Sequence, residues 1–85
     1  MSKIVMYTKD LCPFCDRAKA LLRSKDVAWE ELNVEERPEL RQQMIERSGR
    51  RTVPQIWIDE THVGGCDDLV ALERRGQLDS LLEGT

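Results

Sequence analysis

The sequence predicts an α/β domain: one small mixed sheet of four strands with helices on both faces. Three observations predict it. Apolar residues switch between strand and helix periods in the order β-α-β-α-β-β-α, closed by a short final helix. Pro13 and Pro38 each stand where a helix opens, a position that needs no N–H. Asp59-Glu60 separates two short strand-like runs as a hairpin turn does.

The first strand is read over Lys3–Tyr7, rich in apolar and β-branched residues. Thr8-Lys9-Asp10 is read as a polar loop. A helix starts at Cys12-Pro13, with Cys15, Ala18, Leu21 and Leu22 on one face. Asp16 lies early in it and Arg23 and Lys25 late, the charge order that suits the helix dipole. Ala28–Val34 is the second strand, with Trp29 as its bulky member. Pro38 opens the second helix, whose stripe is Leu40, Met44 and Ile45 and whose stop is Gly49. Gln55–Ile58 and Thr61–Val63 are the hairpin strands, and Gly64-Gly65 breaks the second. A third helix runs from Asp67-Asp68 through Arg74-Arg75 to Gly76, acidic at its start and basic at its end. Leu78, Leu81 and Leu82 add a last short helix. The first β-α-β unit must cross over right-handed and pair its strands in parallel. The hairpin must join the same sheet, because alone it is not stable.

Composition bounds the function. The 85 residues suffice for one domain, spanning 1–85, and one core. Sixteen acidic residues against thirteen basic ones give a formal charge of −3, the wrong sign for a nucleic-acid binder. No apolar run approaches the ~20 residues of a membrane span. The opening residues enter a strand-like run directly, so no export signal is expected. A reducing, cytoplasmic setting is expected, where structural disulfides are rare. Three cysteines, at positions 12, 15 and 66, cannot all pair internally.

Cys12-Pro13-Phe14-Cys15 lies where the first strand feeds the first helix. The i, i+3 spacing brings the two cysteines within reach of a disulfide. Cys12 takes the N-cap, where unpaired N–H groups favour a thiolate, and Lys9 adds positive charge. Cys12 is therefore the expected nucleophile, at an exposed helix start. Cys15, one turn inside, is expected to be less exposed and to attack a mixed disulfide formed on Cys12. A zinc site built from Cys12, Cys15, His62 and Cys66 is the competing reading. Thr52-Val53, before Pro54, is a stretch of backbone to which an extended peptide can pair. An X-Pro bond is trans on base rates. Asp67 and Asp68 open a helix, where they cap it and where free N–H groups can also hold a ligand carboxylate.

Taken together, these motifs resemble those of a dithiol glutaredoxin of the small bacterial cytosolic type. The matching segments are Tyr7-Thr8-Lys9, Cys12–Cys15, Arg17–Leu22, Arg51–Ile56 and Gly64–Leu69, spread over nearly the whole chain. The resemblance implies a thioredoxin-like fold, sheet order 2-1-3-4, and a cis bond before Pro54. It implies glutathione-dependent exchange with protein disulfides and glutathionylated proteins. Glutathione is a co-substrate, and no cofactor is held permanently. Cys12 and Cys15 are the catalytic pair. The implied glutathione contacts are Lys9 and Arg41 for the glycine carboxylate, and Thr52, Val53 and Pro54 for the cysteinyl backbone. Gly65, Cys66, Asp67 and Asp68 hold the γ-glutamyl end, and Phe14 flanks the groove where most members carry Tyr. A monomer is expected. Ribonucleotide reductase is a family-level candidate substrate. The family also contains iron–sulfur carriers, which a proline at position 13 disfavours, and glutaredoxin-like donors served by thioredoxin reductase, which lack the Gly-Gly-Cys-Asp-Asp pocket. Cys66 is read as a buried packing residue or a peripheral thiol. His62 is read as a surface residue, Trp29 and Trp57 as sheet residues, and Arg50-Arg51 as a solvated edge or a source of positive potential for anionic glutathione.

Overall fold

The structure, a computed structural model, describes residues 2–84. Strand β1 (Ile4–Thr8) runs into α1 (Pro13–Ser24), then β2 (Glu30–Asn33) and α2 (Pro38–Ser48). The hairpin β3 (Gln55–Ile58) and β4 (Thr61–Gly64) follows, then α3 (Cys66–Arg74) and α4 (Leu78–Glu83). The sheet order is β2-β1-β3-β4. β1 pairs in parallel with β2 and antiparallel with β3, and β3 pairs antiparallel with β4. This is the mixed sheet that the β-α-β-α-β-β-α order predicts.

Alternation along the central strands builds two cores. Ile4 and Met6 of β1 and Ile56 and Ile58 of β3 face one side, where they meet Ala18 and Leu22 of α1, Leu69 of α3, and Leu78 and Leu82 of α4. Tyr7 and Trp57 face the other side and meet Leu40 and Met44 of α2. Helices thus cover both faces, so the central strands are buried on both sides. A slip of one residue in β1 or β3 would exchange the two apolar sets, which pins the register.

Several boundaries differ from the expected ones, each for a local reason. Thr8 belongs to β1, not to a loop: it pairs with Asn33, and its Oγ1 donates to Glu31 at 3.0 Å. β2 is shorter than expected, and Trp29 lies outside it, where the Arg23 guanidinium sits 5.7 Å from its ring. α3 begins at Cys66 because Gly65 takes the cap position and places Asp68 at the third helical residue. The Val53–Pro54 bond is cis.

Candidate active site

Cys12 is the N-cap of α1, with extended backbone ahead of Pro13. Its Sγ accepts the Cys15 N–H at 3.2 Å, as a capping side chain does. The expected difference in exposure between the two cysteines is small. Cys12 retains 5% of its surface and Cys15 none, so the nucleophile is not at an open helix start. The exposed groups are its neighbours: Leu11 at 97% and Phe14 at 53%. Burial, with the hydrogen bond to Cys12 adding to it, pushes the Cys15 thiol up to about 12. Cys15 therefore stays protonated at neutral pH. All three cysteines are unbridged.

A cavity of about 290 Å³ lies beside this turn. Phe14 forms one wall, Thr52, Val53 and Pro54 another, and Gly65, Cys66, Asp67 and Asp68 the end at α3. Eight of the residues singled out from the sequence are thereby brought together. Lys9 and Arg41 are not in its walls; both are exposed. Arg50 is in its walls.

Two residues carry this geometry without having been singled out for it. Arg50 Nη1 meets Asp68 Oδ2 at 2.9 Å, and the same oxygen accepts the Gly65 N–H at 2.9 Å. The Gly65 amide first, and Arg50 second, hold the Asp68 carboxyl below the usual carboxylate range. The second residue is Gln55, a buried amide on an otherwise apolar strand. Its Nε2 donates to the Thr52 carbonyl at 3.0 Å, which fixes the loop that forms one wall. Its Oε1 is then the acceptor for His62 Nε2 at 2.8 Å. His62 is half-buried and stacks on Trp57, with ring centroids 4.5 Å apart. Burial first, and the Arg50 charge second, lower its pKa, so it is neutral at pH 7. A Gln at the first position of an otherwise apolar strand is the sequence signal that could have found this role, since a buried amide needs partners.

The main chain at Val53 is open. Among the described residues, neither its N–H nor its C=O has a backbone partner. Cys66 is buried, and burial raises its pKa. That is the packing role of the two weighed for it. The zinc reading requires His62 beside the cysteines. Instead its Nε2 is spent on Gln55, and among the described residues no three His, Cys, Asp or Glu side chains gather as a metal site.

Comparison with known proteins places this geometry. Residues 4–63 match the family model described as Glutaredoxin. The chain belongs to the glutaredoxin family. It is 57% identical over 83 residues to Glutaredoxin 3 of Escherichia coli strain K12, covering 98% of this chain and 100% of that one. It is 56% identical over 82 residues to a glutaredoxin of Pseudomonas aeruginosa, covering 96% and 98%. The solution structure of a Brucella melitensis glutaredoxin superposes with a TM-score of 0.85 at 56% identity, over 96% of this chain and 89% of that one. A buckwheat glutaredoxin solved in complex with glutathione superposes with a TM-score of 0.91 at 26% identity, over 98% and 78%. The fold is thus the thioredoxin-like one, and this glutaredoxin is a thiol–disulfide oxidoreductase. Among its described residues no helix is long and apolar enough to cross a membrane.

Proposed function

We propose that this glutaredoxin reduces protein disulfides and glutathione mixed disulfides with glutathione as co-substrate, using Cys12 and Cys15 as a dithiol. The observation that carries the reading is the unpaired main chain of Val53, set in a groove that ends at the N-terminus of α3. A peptide lying there gains two main-chain hydrogen bonds, and its carboxylate meets the free N–H groups of a helix start. Glutathione fits that description: a short peptide with a thiol mid-chain and a carboxylate at each end. Its cysteinyl backbone is assigned to Thr52, Val53 and Pro54, and its γ-glutamyl end to Gly65, Cys66, Asp67 and Asp68. Phe14 packs along it. Its glycine carboxylate is assigned to Lys9 and Arg41, long cations outside the groove walls. The buckwheat complex supports this reading.

In the proposed reaction, Cys12 as thiolate attacks one sulfur of a protein disulfide. A Cys12–target bond forms, and the other target sulfur leaves as a thiolate. Cys15 then loses its proton and attacks the Cys12 sulfur, which releases the target thiol and leaves a Cys12–Cys15 disulfide. Two glutathiones reduce that bond in succession and leave as glutathione disulfide. With a glutathionylated protein, Cys12 takes the glutathione and a second glutathione removes it, so Cys15 is not required. Potentials of glutaredoxins as a class, about −200 to −230 mV, lie near the glutathione pool and allow exchange in both directions. The protein is proposed to work as a monomer in a reducing, cytoplasmic compartment.

The test is turnover of a small glutathione mixed disulfide coupled to glutathione reductase. Wild type should turn over, Cys12→Ser should not, and Cys15→Ser should keep this activity while losing most protein-disulfide reduction. Loss of both activities in Cys15→Ser would overturn the assigned roles, and wild-type inactivity would sink the reading.

A further inference from the structure

We propose that the cleft between α1 and α3 receives an acidic side chain of the protein whose disulfide is reduced. The inference rests on the proposed glutathione-dependent reduction of protein disulfides. The cleft has a volume of about 370 Å³ and is lined by Arg17, Asp67, Val70, Ala71, Arg74 and Arg75. Arg17 stands on α1 shortly after the Cys12–Cys15 turn, while Arg74 closes α3 and Arg75 caps it. Three guanidinium groups therefore converge on one cleft of a chain whose formal charge is −3. Among the described residues none of the three is in an ion pair, whereas Arg37 and Arg50 each are. The single carboxylate in the lining, Asp67, leaves a positive excess.

Position links the cleft to the reaction. Asp67 lines both the cleft and the glutathione groove, so the two share a wall. The charge of Arg17 also reaches Cys66, at the end of that groove. A protein chain joined to Cys12 through sulfur extends past the groove and can reach across the wall. A contact between an exposed arginine and a carboxylate is weak alone. It gains most when the carboxylate is already tethered nearby, because the second contact is then intramolecular. A target chain has that tether, and a free anion does not. The planar, multi-donor guanidinium suits a carboxylate better than an ammonium would.

Two synthetic peptides with the same intramolecular disulfide test this, one flanked by glutamates and the other by glutamines. Both are assayed with glutathione and glutathione reductase against wild type and the triple variant Arg17→Gln, Arg74→Gln, Arg75→Gln. Wild type should show a kcat/KM about fivefold higher for the glutamate peptide at low salt, and most of that preference should vanish at high salt. The triple variant should lose the preference and keep its turnover of a small glutathione mixed disulfide. Equal kcat/KM for both peptides with wild type, or an undiminished preference in the triple variant, overturns the proposal. So does free glutamate at millimolar concentration abolishing the preference, which would mark a site for untethered anions. If the triple variant does not fold, Arg74→Gln and Arg75→Gln singly must each reduce the preference, and no reduction in either overturns it. Wild type that turns over neither peptide nor the small mixed disulfide refutes the glutathione-dependent reading instead.

Discussion

Cys12 and Cys15 differ less in exposure than in what surrounds their sulfurs. Cys12 Sγ receives a main-chain N–H, and Cys15 is enclosed, its thiol pushed up to about 12 mainly by burial. Cys66 is raised by the same cause. A short exposure to iodoacetamide at pH 7, followed by peptide mass mapping, should label Cys12 ahead of both others. Equal labelling of Cys15 would remove the physical basis for its role as the resolving thiol. Leu11 is a second residue-scale feature. It holds φ at +50°, a region that costs a residue with a Cβ about 1–2 kcal/mol. Its side chain is almost wholly in solvent, so it recovers nothing by packing. Leu11→Gly should raise stability by up to about 0.5–1 kcal/mol in urea unfolding, the relief of the backbone being partly offset by the freer unfolded chain. An unchanged or lowered midpoint would show that the leucine is held by packing after all.

At the scale of elements, the groove depends on a loop that has no ladder of its own. The wall from Thr52 to Pro54 precedes β3 and is held to the sheet by one buried amide, Gln55, which bonds Thr52 and His62 at once. Gln55→Leu should cost about 1–3 kcal/mol, because it leaves a carbonyl and an imidazole N–H without partners. The same variant should raise KM for the glutathione mixed disulfide more than it lowers kcat; an unchanged KM would show that the loop is held by other means. This dependence is not legible in the local sequence pattern, because the partners of Gln55 are set by the fold. The helix starts at Pro13 and Pro38 and the hairpin at Asp59-Glu60 were readable because each is a local signal, complete within a few residues. Arg50 was not, since its partner Asp68 lies 18 residues away across a turn, a hairpin and a helix start. Lys9 and Arg41 illustrate the converse. A sequence pattern can name a cation without saying which side of a wall it stands on. The end of β1 differs from the expected one for a related reason: Thr8 looks like loop material until Glu31 supplies its partner.

For the molecule as a whole, the β1-α1-β2 unit is tied together by Glu31. Its carboxylate meets Lys19 Nζ at 2.7 Å and accepts from Thr8 and Trp29. Burial alone would raise its pKa, but the bonds from Lys19, Trp29 and Thr8 together bring it below 4.5. A carboxyl whose pKa is lower folded than unfolded stabilises the fold above its unfolded pKa, and that contribution fades as pH falls through the folded pKa. Wild type should therefore lose stability below about pH 4.5 more steeply than Glu31→Gln, as read from urea midpoints against pH. Parallel curves for the two proteins would exclude this source of acid sensitivity. The opposite corner of the molecule is governed by a matter of space. Gly64 holds φ at +112°, and a Cβ built there would lie 2.3 Å from Asp68 Oδ2. That oxygen is the one that closes the first turn of α3 and faces Arg50. Positions 64 and 68 are thus interlocked: the bare backbone of one is the room in which the other works. A chimera spliced between them, taking the hairpin from one relative and the helix from another, inherits a working corner only if both parents solved that fit in the same way.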